Sequence, residues 1–345
     1  MKIDDEFLIF LFSYNQPRRP KLIENLLAGR KTVSTLFWGM RYRLLDYCGV
    51  FSKFKEFSII SKVHKLEKSG YLRRSKDNKH LLLTKLGLDR QKNLIDNYYL
   101  PKHLDVYQKY NVAKFSKRFL LAVQIVSEYS FHNKQYFPLQ MNILEYNLIK
   151  NWFKNNKKTD FILKMHRLMY NFADSLDNQR AIQFATALTG HKRIALTNEQ
   201  QKSQLNVTSL QLYFMQLDLF SELIIFIKAN QDYNFLYPLL SDLNIQLMGN
   251  ASFGTFKLLI KGNSINKIAH IKHIKTNTVK EHLLNAAIVL PKTAFPYSLF
   301  LNNETIKFFK HNLKGNIDEW SFVTIKQTHI SFFDFRLYQI FRSKH

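Results

Sequence analysis

The chain has 345 residues, which at ~100–200 residues per domain predicts two or three domains. Its 46% apolar content allows real cores, and only 10 Gly and 7 Pro, with no low-complexity tract or strict repeat, predict long helices that are rarely broken. Lys and Arg number 51 against 26 Asp and Glu, a net charge of +25, while the single cysteine excludes an internal disulfide and any multi-cysteine zinc site.

The charge is unevenly spread. Residues 1–120 hold 25 Lys/Arg and 11 Asp/Glu, residues 121–250 hold 12 and 10, and residues 251–345 hold 14 and 5. A coding bias towards Lys would enrich every segment alike. Two basic ends around a near-neutral middle point instead to a polyanionic partner, nucleic acid first.

The opening "MKIDDEFLIFLFSYN" carries Asp4, Asp5 and Glu6 ahead of a short apolar run, which is not the pattern of a secretory signal. In "LLDYCGVF", Cys48 reads as a small core residue rather than a nucleophile. Further on, Ile59, Ile60, Val63 and Leu66 form one helical stripe, with Lys55, Lys62 and Lys65 projecting elsewhere. Gly70 ends that helix. "YLRRS" and "HLLLT", separated by "KDNK", then predict a hairpin bearing Arg73, Arg74, Lys76 and Lys79. A helix, a glycine stop and a basic hairpin predict a winged-helix-like domain over residues 1–90. Lys62, Lys65 and the four hairpin cations are its candidate phosphate contacts. The plainer reading is a protein-binding winged helix whose lysines are simply solvated.

Residues 91–250 read as a helical middle domain. "FSKRFLLAVQIVSEYSF", "QMNILEYNLIKNWFKNN", "FILKMHRLMYNFADSL" and "NQRAIQFATALTG" each have helical apolar spacing. Asp177 or Asn178 is placed to cap the last of these and Gly190 to end it. "LQLYFMQLDLFSELIIFIKA" is the greasiest stretch, but Asp218 and Glu222 break it, so it reads as a buried helix rather than a membrane span. The aromatic residues here are core by default.

Residues 251–345 form the third predicted domain. In "GNSINKIAHIKHIKTNTVKEHLL", Ser264 is placed to cap a short helix carrying Ile265, Ile268, Ala269 and Ile271. "KTN" is the turn. Thr278 and Glu281 fit a capping box opening a second helix that buries Val279, Leu283, Ala286 and Ala287. This is the order of a helix-turn-helix, in which the turn and the start of the second helix meet DNA. The candidate DNA contacts are Lys272, Lys275, Thr276, Asn277, Thr278 and Lys280. The tail from residue 312 is β-branched and aromatic yet also compatible with helix, and neither Trp320 nor Arg336 receives a functional role from sequence.

"INKIAHIKHIKTNTVKEHLL" resembles the helix-turn-helix of LuxR-type regulators, with Thr278, Val279, Lys280, His282 and Leu283 matching its motif. His273 departs from it, standing at the turn where most such motifs have Gly and where φ must be positive. A longer series, "LLAGRKTVSTLFWGMRYRLLDYCGVF", "LTKLG", "ALTGHKRIALTNEQ", the helix pair and "ISFFDFRLYQI", resembles the YpbB-like family of bacterial helicase-associated helix-turn-helix proteins. That resemblance implies DNA binding and a RecQ-type helicase as partner. It carries over no catalytic residue.

No G-x-x-x-x-G-K-[ST] phosphate loop and no G-x-S-x-G elbow occurs. His270, His273 and His282 lack a third-ligand spacing for zinc, and Asp174 with Asp177 is too small a cluster for a metal nuclease. The expectation is therefore a mainly α-helical, cytoplasmic, nucleoid-associated DNA-binding protein. It has no enzymatic activity, cofactor, metal, membrane contact or small-molecule substrate, and serves as accessory factor of a RecQ-type helicase. A sequence-specific transcription regulator and a protein-interaction scaffold are the alternatives.

Overall fold

The computed structural model describes residues 3–54, 57–157, 160–245, 247–325 and 330–344. It is mainly α-helical. The helices are α1 (Asp5–Phe10), α2 (Pro20–Leu27), α3 (Val33–Arg41), α4 (Ile60–Lys68), α5 (Lys85–Ile95), α6 (Leu104–Lys109), α7 (Val112–Ser130), α8 (Ile143–Asn156) and α9 (Phe161–Asp174). They continue as α10 (Asn178–Ala187), α11 (Asn198–Leu205), α12 (Ser209–Ala229), α13 (Asn250–Ile260), α14 (Ile265–Lys272), α15 (Thr276–Val289), α16 (Asn303–Asn312) and α17 (Phe332–Ser343). Strands β1 (Leu72–Arg74) and β2 (Leu81–Leu83) form an antiparallel hairpin that pairs Leu72 with Leu83. The tail from Phe332 is thus helical, opened by a Ser331–Asp334 capping box. Residues 326–329, and Lys55 on the expected first basic helix, lie outside the described residues.

The chain divides into two compact units, one of residues 1–10 and 89–245, the other of residues 11–88 and 246–345. These boundaries differ from three consecutive segments at 1–90, 91–250 and 251–345. The reason is long-range packing: α3 and α17 both pack on α15, drawing the two basic ends of the chain into one unit.

In the first unit α7 supplies Phe115 and Phe119 one turn apart to a core with Trp152, Phe161, Met165, Phe172 and Phe184. Asp177 caps α10, accepting from the Arg180 amide at 3.0 Å. Gly190 does not end that helix. Leu188 already leaves the helical conformation, and Gly190 instead lies so close to Ser127 that an added Cβ would sit 2.5 Å from its Oγ. The apolar helix α12 meets the length and composition of a membrane span, yet two-thirds of the window is buried in this core. Its Asp218 is fully buried and accepts from the Tyr99 hydroxyl at 2.7 Å and the amides of Lys102 and His103 at 2.7 and 2.9 Å. Arg118 is equally buried. It pairs with Glu145, lies 2.9 Å from Asp242, and donates to the carbonyls of Leu239 and Ser241. The hydrogen bond from Arg118 above all, aided by Lys114, holds the Glu145 carboxyl below its ordinary range.

In the second unit α4 buries Val63 and Leu66, and Gly70 follows it at φ +76°. Ahead of α2, Arg18 forms an antiparallel bridge to Leu81, a residue of β2, which also pairs with β1. Cys48 is buried, and burial pushes its thiol up to about 11, the environment of a core residue.

Candidate nucleic-acid interface

The C-terminal helix pair is built as its spacing predicts. Ser264 caps α14, its Oγ accepting from the Lys267 amide at 3.3 Å. Ile268 and Ala269 of α14, Val279, Leu283, Ala286 and Ala287 of α15, and Leu259 and Thr255 of α13 are all buried, and the three helices pack on one another. Each fully buried Val or Leu contributes about 1.5–3 kcal/mol to holding this arrangement. His273 adopts φ +51°, ψ +44°, the left-handed geometry that glycine usually supplies. Its amide reaches the His270 carbonyl at 3.2 Å and the Ile274 amide reaches that of Ala269 at 3.0 Å, a Schellman closure.

The second helix starts earlier than its capping pattern implies. Lys275 is the extended cap residue with no side-chain cap, Thr276 is already helical, and the Val279 amide closes the first turn on the Lys275 carbonyl at 3.1 Å. Thr278 therefore sits inside the first turn, and the Thr278–Glu281 capping box does not form. The first amides of α15 are left without side-chain acceptors, a geometry suited to phosphate oxygens.

Lys275, Thr276 and Asn277 are exposed, and Thr278 and Lys280 are half-buried. The Lys280 ammonium lies 5.9 Å from the Phe333 ring centroid. Lys272 is turned inward: its ammonium donates to the Ala251 carbonyl at 2.8 Å. His282 likewise faces the unit, its Nδ1 2.9 Å from Thr255 Oγ1, and burial followed by the charge of Lys272 pushes its pKa down. From Leu283 to Ile288 every residue of α15 is buried, with α3 and α17 packed on the helix. In its first two turns Thr276, Asn277 and Glu281 are exposed, while Val279 is buried.

On the hairpin, Arg73, Lys76 and Lys79 are exposed. Arg74 is exposed too and pairs with α4, with Nε 2.9 Å from a Glu67 oxygen and a further bond to the Asn78 carbonyl. The turn is organised by Asp77, which accepts from the Ser75 hydroxyl and the Lys79 and His80 amides. These bonds, Ser75 first, hold its carboxyl well below the usual range. Lys62 is half-buried and Lys65 exposed on α4. Arg336, given no role by sequence, is held between Phe37 and Phe332. The Phe332–Arg336 spacing of four on one helix was the signal for it. Among the described residues, no group of three or more His, Cys, Asp or Glu is placed to hold a metal ion.

Comparison with known proteins agrees with this geometry. Residues 252–339 match a family described as a helix-turn-helix domain, so α13 to α17 form such a domain. The chain is 22% identical over 289 residues to protein YpbB of Bacillus subtilis (strain 168), covering 81% of this chain and 80% of the relative. No solved structure matches the chain.

Proposed function

We propose that this protein binds DNA without catalysing a reaction on it, with the first turn of α15 in the major groove and the α4–hairpin element on flanking phosphates. The observation that carries this reading is the exposed, uncapped start of α15 in a helix-turn-helix domain, flanked by Lys275 and Lys280. Charge supports it: residues 11–88 and 246–345 together hold 31 Lys/Arg against 10 Asp/Glu. The order bridge strand, α2, α3, α4 and hairpin supports a winged-helix-like element, with Lys62, Lys65, Arg73, Lys76 and Lys79 as phosphate contacts.

The burial of α15 beyond its second turn leaves few side chains for base edges. It favours sequence-tolerant binding over the reading of a long operator. We assign the protein as an accessory factor of a RecQ-type helicase, acting in the cytoplasm at the nucleoid. Exposed Phe131, Phe137, Ile143, Leu144 and Ile194 on the near-neutral unit support a protein partner there. The test is a mobility shift of duplex, single-stranded and forked DNA at several salt concentrations, with and without the helicase. The expected result is salt-dependent binding of many sequences and altered helicase processivity. A preference of ~10³-fold or more for one duplex sequence would identify a regulator instead.

A further inference from the structure

A cleft of about 850 Å³ opens beside the helix pair, within the basic unit. One part of its lining is the start of α13. Gly249, at φ +77°, precedes that helix and has no side chain to cap it. Among the described residues no hydrogen bond reaches the amides of Asn250, Ala251 and Ser252 from outside the helix, and the helix dipole adds partial positive charge at the same place.

Arg336 reaches the cleft from α17. Its guanidinium carbon lies 4.1 Å from the Phe37 ring centroid and 5.2 Å from that of Phe332. The two rings fix its plane. Its Nε is buried and has no hydrogen-bond partner among the described residues, and no carboxylate there pairs with it. Burial, then the nearby Arg19, pushes its pKa down to about 10, so it remains a cation at neutral pH. Arg30, exposed before α3, adds a second positive group to the lining.

Asn285 of α15 also lines the cleft and is only 8% exposed. Its Nδ2 reaches the Lys31 carbonyl at 3.5 Å, while its Oδ1 is buried with no partner. Leaving such groups unpaired costs about 1–3 kcal/mol each. A ligand that offers acceptors to Arg336 and the α13 amides and a hydrogen-bond donor to Asn285 recovers that cost. Glu281 is a carboxylate in the same lining, and the cationic groups outnumber it.

We propose that this cleft binds the phosphate of a nucleotide, held by Arg336, Arg30 and the first amides of α13, with Asn285 Oδ1 accepting from an N–H group of the base. The nucleotide is either part of a nucleic-acid strand, which rests on the DNA-binding reading above, or free in solution, which does not.

The test uses the full chain titrated with inorganic phosphate, deoxyadenosine monophosphate and a short duplex. Arg336→Met keeps an unbranched side chain between the two rings, and Arg30→Gln changes an exposed residue with no packing role. Wild type is expected to bind the nucleotide, with affinity falling about tenfold in R336M and about threefold in R30Q, as loss of charge-assisted hydrogen bonds predicts. If the duplex salt slope also falls by about one unit in R336M, the occupant is a backbone phosphate. If only nucleotide affinity falls, the occupant is a free nucleotide. Wild type that binds neither anion, or both variants leaving every affinity unchanged, overturns the proposal. Failure of the DNA reading is separate. It appears as duplex binding absent from wild type, and leaves the nucleotide titration to decide the cleft.

Discussion

The unit of residues 1–10 and 89–245 holds 20 Lys/Arg and 16 Asp/Glu, whereas the unit of residues 11–88 and 246–345 holds 31 and 10. The first unit pairs its buried charges internally. Arg118 binds Glu145 and Asp242, Arg180 binds Glu222, and Asp218 gathers a tyrosine hydroxyl and two amides inside the core. The second leaves Arg73, Lys76, Lys79 and Lys275 in solvent, and holds Arg336 between rings rather than against a carboxylate. Paired charges fix a fold, and unpaired charges of one sign await a partner. The same residue types are structural in one unit and candidates for recognition in the other.

The largest expected effect lies in the first unit. Arg118→Met leaves Glu145 buried without its main partner and should cost about 3–5 kcal/mol by denaturant unfolding. The pH dependence follows from the lowered Glu145 pKa. Its stabilising contribution is complete above the unfolded carboxyl value near ~4.3 and is lost as pH falls from there through the depressed folded value. Wild type should therefore show a steep acid limb that R118M flattens. Equal acid limbs in both proteins would remove Glu145 from the account.

Smaller effects separate the turn chemistry of the second unit. Ser264→Ala removes the cap of α14 and should cost about 1 kcal/mol. His273→Gly relieves a left-handed residue and should stabilise by about 0.5–1 kcal/mol, visible as a raised Tm with DNA affinity retained. Loss of stability in H273G would mean that the imidazole makes contacts worth more than the backbone strain.

The helices were legible because apolar spacing reports which face of a helix is buried. Val279, Leu283, Ala286 and Ala287 lie in the core as their spacing requires, and His273 has the positive φ that its place in the motif demands. Spacing does not report what covers a face. Nothing in one dimension tells that α3 packs on α15, so the two basic ends read as separate domains. Polar contacts were legible where the partner is local: Asp177 caps its own helix, whereas the bonds of Lys272 to Ala251 and of Arg74 to Glu67 could not be read from spacing. The Thr278–Glu281 pattern misled because Lys275 turns the chain before Thr276, placing the helix start two residues upstream of the motif.

The comparison between the units is tested most directly by the salt dependence of duplex affinity in matched double variants. Lys275→Gln with Lys280→Gln removes two charges at the start of α15, and Lys134→Gln with Lys154→Gln removes two exposed charges from the first unit. Recognition through the second unit predicts that the first pair lowers the slope of log affinity against log salt by about two units while the second leaves it unchanged. Equal slopes for both pairs, or a fall only in the second, would contradict the account.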